Sequence, residues 1–430
     1  METNNQSHQP QGFMESITAR VIMVGVLTLI LLIPLQFVKS LIWEREALQD
    51  NVKKEINGQY GGEVYLYGPI LKIPYLSAGQ IAYAYYFPET LNIKSDVKTE
   101  EKNRNVYKTT VFKSVIQCNG YYKPIMQHKQ EIDPQILQWD KATILVTTKN
   151  LKTIKGAFSI SINGRSYPFE PTVKEPGTMA FESLETQPIS INPNASLQYS
   201  INVNYDGSER ISVIPIGKLT DIKMKSDWAD PKFTGNFLPV SKQIDTSGFA
   251  ANWKVSHLNR PFVQQYFGSL PDLKAYALTT EFLIKNNEYQ QNERTAKYGF
   301  LVIGLTFLVF FLIQTISKIF IHIFQYTMIG LALIMFYTLL VSITEHSSFN
   351  LAYSIAGTAV VSMITLYTAA VLKNRKLTLL VGASLATLYT FIYVIIKLED
   401  YALLAGSIGL FAILAAVMYF SRKIEWQPIQ

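Results

Sequence analysis

The residues best equipped for chemistry in this chain are two short pairs, Glu345-His346 and Glu399-Asp400, which lie at the ends of long apolar runs. Neutral imidazole and ionised carboxylate both donate lone pairs and titrate in a useful range, so the four can bind a divalent metal or relay protons. One histidine and three carboxylates without fixed spacing are nevertheless a nonspecific ligand set, and capping helix ends or docking a neighbouring domain uses the same groups. A second set, His322, Gln325 and Tyr326, opens another apolar run. It reads either as a contact for a cytosolic signalling partner or as interfacial anchoring, tyrosine having one apolar and one hydrated end. These residues assign neither a catalytic group nor a metal ligand, and no cofactor is expected.

The sequence lacks the familiar catalytic signatures: no glycine-rich nucleotide loop, no His-Glu-x-x-His pair and no Cys-x-x-Cys. His128 and His257 have many serines and aspartates in the same block, but no nucleophile-elbow sequence accompanies them, and His257 within KVSHLNRP reads as a turn or sheet-edge residue. Cys118 is the only cysteine, which rules out an intrachain disulfide. A buried free thiol is the expectation and an intermolecular disulfide the alternative.

The elements that must position these residues are apolar helices. Runs at Val21 to Val38, Tyr298 to Ile316, Phe324 to Thr344, Leu351 to Leu372, Leu377 to Ile396 and Ala402 to Phe420 are each near the length that crosses the hydrocarbon of a bilayer, and none carries a charge at its centre. The chain is 48% hydrophobic and only 17% charged, with its polar residues gathered in one block, which excludes a soluble protein. The net charge of +7 comes without a dense basic run, so no nucleic-acid partner is expected. Transport of charge is disfavoured for want of ionisable residues inside the spans. Small residues four apart (Ala352 and Ala356, Gly382 and Ala386, Ala405 and Gly409) point to close helix packing. Tyr337, Tyr353, Tyr367, Tyr389 and Tyr393 add hydroxyls to the bundle, for interfaces and backbone bonds or for a lipid cleft.

Loop charges orient the chain. With a cytoplasmic amino end, Arg20, Lys318, Lys373, Arg375, Lys376, Arg422 and Lys423 fall inside, and the short outer loops hold only Lys397. The first run is too long for an ordinary signal core, and Phe37, Val38, Lys39 and Ser40 make a poor cleavage site, so it reads as an uncleaved anchor kinked at Pro34. The expected organisation is a cytoplasmic tail (1–19), an anchor helix (20–41), a periplasmic β-rich domain (42–296), a five-helix bundle (297–421) and a second cytoplasmic tail (422–430). Both pairs, Glu345-His346 and Glu399-Asp400, then share the outer face.

Outside the anchor, Leu48, Val52 and Ile56 fall at helical spacing until Gly58, Gly61 and Gly62 end the helix. The period then changes to two. Phe158, Ile160 and Ile162, then Tyr199, Ile201 and Val203, Ile222 and Met224, and Trp253 and Val255 all alternate with polar neighbours. With turn signals at Asn163-Gly164, Asp206-Gly207, Asp230-Pro231 and Ser247-Gly248, this pattern suits an antiparallel, sandwich-like all-β domain. Gln291 to Lys297 reads as a direct lead into the second span.

Several segments, among them LLIPLQFVKSLIWERE, GGEVYLYGPILKIPY, the stretch from IPIGKLTDIKMKSDW to KVSHLNRPF, and HIFQYTMIGLALIMFYTLLVSITEH, resemble the CreD family of bacterial inner-membrane proteins. The resemblance covers all but about the first 17 residues. It implies a plasma-membrane protein of cell-envelope integrity, tied to envelope stress and to β-lactam responses under a two-component regulator, and it carries no reaction with it. One departure is His322-Ile323, where the family pattern has His-Pro; the need for a rigid helix start there is left open.

The resulting expectation is a non-enzymatic membrane protein whose outer β domain binds, senses or braces an envelope component. The alternative is a membrane-embedded enzyme or lipid handler working near Glu345, His346 and Asp400. The partners implied are membrane lipids and an envelope protein, lipid or glycan, with the oligomeric state left open.

Overall fold

A computed structural model describes residues 17–104, 107–127, 132–172, 182–282, 284, 288–398 and 401–422, with backbone alone at 17, 18 and 420. The chain forms two compact units, one of residues 1–48 with 286–430 and the other of residues 49–285.

The first unit is helical. It contains most of α1 (Ile17–Gln59), then α2 (Glu288–Lys297), α3 (Gly299–Ser317), α4 (Ile323–Thr344), α5 (Phe349–Leu372), α6 (Arg375–Lys397) and α7 (Ala402–Ser421). Six of these, all but α2, are long and apolar enough to cross a membrane, so lipid is their solvent. The lead into the second span is itself helical: α2 ends at Lys297, and Tyr298 (φ −81°, ψ 1°) alone separates it from α3. Along α1, Leu27, Leu31, Leu35, Val38 and Ile42 recur on one face and are buried. Two glycines admit that face: a Cβ at Gly330 would lie 2.2 Å from Leu31 Cδ1, and one at Gly299 would lie 2.7 Å from Leu35 Cδ2. Of the small-residue pairs, Ala352 and Ala356 are buried, Gly382 faces Thr365, and Gly409 lies against the Phe391 ring, whereas Ala386 is exposed.

The second unit is built on a mixed sheet. Its first strands are β1 (Val64–Ser77), β2 (Gln80–Tyr86), β3 (Thr90–Arg104), β4 (Tyr107–Tyr122), β5 (Thr143–Thr148), β6 (Ile154–Lys155), β7 (Ser159–Ile162), β8 (Arg165–Thr172) and β9 (Glu182–Thr186). They are followed by β10 (Leu197–Ser208), β11 (Arg210–Val213), β12 (Leu219–Ser226), β13 (Lys232–Gly235), β14 (Ser241–Asp245), β15 (Gly248–Ser256), β16 (Gln265–Phe267) and β17 (Leu278–Glu281). One run of pairings is β14–β15–β12–β3–β4–β10–β7–β8; another is β16–β2–β1–β5–β9–β8; and β1 also joins β11, which leads to β17 and β13.

The strictly antiparallel expectation is corrected at two places. β1 runs parallel to β11, and β3 runs parallel to β12 with Ile93 beside Ile222. Alternation fixes which face of a strand is buried, and it carries no information on the direction of the partner.

The alternating residues do point inward: Ile160, Tyr199, Ile201, Ile222, Met224 and Trp253 are buried while Ser200, Asn202, Lys223 and Lys254 are exposed. β5 is buried along its whole length, as is β1 up to Tyr75, as strands covered on both faces must be. Gly61 and Gly62 end α1 at positive φ, and Asn163-Gly164 makes the left-handed turn between β7 and β8. Asp206-Gly207 is not a turn. Both residues continue β10, and Gly207 is small because a Cβ there would lie 2.6 Å from Val64 Cγ2 and 2.8 Å from the Phe112 ring.

Candidate functional site

The residues singled out for chemistry are brought together only in part. Glu345 is the residue after the last turn of α4. Its amide donates to the Val341 carbonyl, and its carboxylate pairs with Arg45 Nε of α1 at 3.3 Å. His346 is exposed, and its amide donates to the Ile343 carbonyl. Glu399 and Asp400 lie outside the described residues, as does His128. Among the described residues, no group of His, Cys, Asp and Glu is placed to hold a metal ion.

What surrounds Glu345 is a polar junction of α1, α2 and α4. Where α1 leaves its apolar stretch, the sequence Trp43-Glu44-Arg45 supplies an indole and a guanidinium. Trp43 Nε1 donates to Glu293 Oε1 of α2 at 3.4 Å, and Lys297 pairs with the same carboxylate one turn on, at 3.1 Å. The lysine and indole hydrogen bonds hold the Glu293 carboxyl below the usual glutamate range. Next to it Asn292 is buried, and its Oδ1 accepts from Thr344 Oγ1 of α4 at 3.4 Å. Arg45, Asn292 and Glu293 were not singled out from sequence, although WERE, directly after an apolar run, is where such anchors belong.

The junction ties α1 and α2 to α4 within the helical unit.

At the other end of α4, His322 and Gln325 are used locally. His322 Nδ1 accepts from the Phe324 amide at 3.2 Å, and Gln325 Oε1 accepts from the His322 amide at 2.9 Å, a reciprocal cap. This fixes the start of α4 at Ile323. Tyr326 is fully buried, with its hydroxyl donating to Gln314 Oε1 at 2.9 Å and its ring packed edge-on against Phe307 and Phe310.

In the sheet unit, Cys118 is a buried free thiol on β4, and desolvation pushes it up to about 12. His257 opens a short helical turn capped by Ser256, the ordering role its context suggests. The buried Arg260 donates to the carbonyls of Phe262 (2.8 Å), Ile216 (3.1 Å) and Gly217 (3.2 Å) and to Gln264 Oε1. Its guanidinium also lies 3.9 Å from the centroid of the Phe262 ring. Burial lowers it to about 10, still a cation at neutral pH. Arg260 pins the segment leading to β16, and its place in NRPF gave no sign of that role.

Six helices long and apolar enough to span, with a mixed sheet unit inserted after the first, define a multi-pass membrane protein. The family description that matches is "Inner membrane protein CreD", over residues 16–427. The chain belongs to the CreD family. It is 27% identical over 417 residues to Inner membrane protein CreD of Escherichia coli (strain K12), with 93% of this chain and 91% of that protein covered.

Proposed function

We propose that this protein maintains the cell envelope under stress without catalysing a reaction: residues 42–296 work on the periplasmic side, where they bind, sense or brace an envelope component, and the bundle anchors them. In this reading residues 1–19 and 422–430 are cytoplasmic, and 20–41 and 297–421 lie in the membrane. The observation that carries it is the charge asymmetry of the short connections, basic at the ends of α3 and α5 and nearly free of cations at the opposite ends.

Backbone conformation supports it further. Lys318 and Lys373 both end helices in the left-handed region, at φ 52° and 49°, where glycine is favoured. Retaining lysine there trades backbone comfort for a cytoplasmic charge. On the outer face, Glu345 serves as a latch for Arg45, and His346, Glu399 and Asp400 belong to the same boundary rather than to a reaction centre.

The test is complementation of a strain lacking the protein under β-lactam challenge. Glu345→Gln, His346→Ala and Asp400→Asn are each expected to insert normally and restore resistance, whereas removal of residues 64–282 is expected to abolish it. Loss of function in the carboxylate or histidine variants at normal membrane abundance would move the assignment to an outer-face enzyme or lipid handler.

A further inference from the structure

One face of the sheet unit carries residues that strands ordinarily avoid. Register sets β12, β3, β4 and β10 side by side, with Lys223, Lys94, Gln117 and Asn202 in one row and Asp221, Asn92, Asn119 and Ser200 in the next. All but the half-buried Asp221 are exposed, while the residues between them, Ile222, Ile93, Cys118 and Ile201, face the core. Asparagine is among the residue types that strands select against, and lysine is mildly so. Asn92, Asn119 and Asn202 nevertheless lie well inside their strands. The protein makes little use of their amides: Asn92 Nδ2 donates to Asn119 Oδ1 at 3.3 Å, and among the described residues Gln117 and Asn202 have no side-chain partner. Residues that neither suit their element nor bond within it are expected where a protein meets something else.

The cations point the same way. Lys223 and Lys94 are neighbours on parallel strands, an unfavourable juxtaposition of like charges. Asp96, one row on, lies 4.0 Å from Lys94, and Lys223 has no ion pair among the described residues. Asp221, the acid of the second row, is beside Lys254 of β15. An anion lying over Lys94 and Lys223 turns their repulsion into attraction. One row beyond Asn119, Tyr121 is 38% exposed on the same face. With strands about 4.8 Å apart and same-face residues about 6.8 Å apart along each, the lysines, the amides and Tyr121 cover about 14 Å by about 14 Å.

A side-chain amide presents donor and acceptor on one planar head, which matches the neighbouring hydroxyls of a pyranose, each able to donate and accept. A phenol ring offers an apolar face to the C–H bonds of a sugar, and an ammonium pair supplies the charge that a carboxylate needs. We infer that this face binds an acidic polysaccharide, with a sugar carboxylate over Lys94 and Lys223, sugar hydroxyls on Gln117, Asn119 and Asn202, and one ring stacked on Tyr121. A polyanion without sugars would use the lysines alone, and a neutral glycan the amides alone. The inference rests on the reading that the sheet unit binds an envelope component and names the class of that component.

Biolayer interferometry with the full-length protein in phosphatidylcholine nanodiscs tests it, against empty nanodiscs. The probes are polygalacturonate and hyaluronan, which carry carboxylates on different sugars, dextran as a neutral glycan, and polyglutamate as a polyanion without sugars. At least one acidic glycan is expected to bind about tenfold or more tighter than dextran or polyglutamate, the scale of a charge-assisted contact or two. The double variant Lys94→Gln with Lys223→Gln should lose that preference over dextran. Gln117→Ala with Asn119→Ala should weaken the glycan several-fold and leave the residual binding of polyglutamate unchanged. Lys242→Gln, on the opposite face near the Phe233 ring, should change nothing. Thermal unfolding confirms that each variant is folded, as substitutions at exposed positions should be. No binding of either acidic glycan, equal binding of dextran or polyglutamate, or a folded amide or lysine double variant that binds the glycan as the parent does would each overturn the assignment. Such a failure leaves the wider role to the complementation test above, which does not depend on which component is bound.

Discussion

Helices α3 and α7 are similarly apolar, yet more than half of the most apolar stretch of α3 is buried in protein and none of that of α7 is. Phe307 of α3 is completely enclosed, whereas Phe411 of α7 is 75% exposed, and α7 rests on α6 through the Gly409–Phe391 contact. In a membrane, hydropathy reports which segments lipid accepts as solvent and says little about which segments pack, because lipid tails are as apolar as leucine. In the sheet unit water drives most of the same residue types inward, as at Ile93, Ile222 and Trp253, while some, such as Leu238, Val240 and Leu258, stay exposed. Packing in the bundle is instead marked by glycines under large side chains and by buried hydroxyls.

The comparison breaks first at its extremes. Phe307→Ala is expected to cost about 3–5 kcal/mol, as a large cavity in a packed interior does, while Phe411→Ala changes stability by no more than about 0.5 kcal/mol. Thermal unfolding in one lipid mixture measures both, and comparable losses would show α7 packed against something in the membrane. Next, Gly207→Ala forces a methyl into Val64 and Phe112 and should cost about 1–3 kcal/mol. Gly58→Ala, in α1 with open space around it, should stabilise by about 0.5 kcal/mol.

Cys118 gives a pH signature confined to the sheet unit. Burial raises its thiol from an ordinary 9.0 to about 12, so the folded state favours the neutral form. That stabilisation is complete below pH 9 and is lost as pH rises toward 12, because the unfolded thiol ionises first. The loss should be on the order of 1 kcal/mol per pH unit above 9 and should vanish from the difference curve in Cys118→Ala, as denaturant titrations at several pH values would show. The smallest effect is expected at the boundary: Arg45→Gln removes a partly exposed pair with Glu345 and should cost less than about 1 kcal/mol, with stronger dependence on low salt in the parent than in the variant.

Sequence periodicity made the spans and the inward faces of the strands legible, down to Met224 and Trp253, because both follow from a solvent acting on neighbouring residues. Pairing did not follow. Nothing local distinguishes Ile222 beside an antiparallel partner from Ile222 beside the parallel Ile93, and β1, buried almost throughout, has no alternation to read. Asp206-Gly207 misleads for a related reason: glycine there answers to Phe112 on the neighbouring strand and not to its own turn. At the candidate site, helix ends could be read as polar, but the junction of Arg45 with Glu345 and of Trp43 with Glu293 joins residues hundreds of positions apart, which no spacing encodes.

The central claim is the placement of the sheet unit on the periplasmic side, and cysteine accessibility tests it most directly. In a Cys118→Ala background, Gln243→Cys on β14 and Lys376→Cys at the start of α6 are treated with a membrane-impermeant maleimide in intact spheroplasts and again after permeabilisation. Labelling at position 243 before permeabilisation, with position 376 labelled only afterwards, is the predicted result; the reverse order would contradict the account.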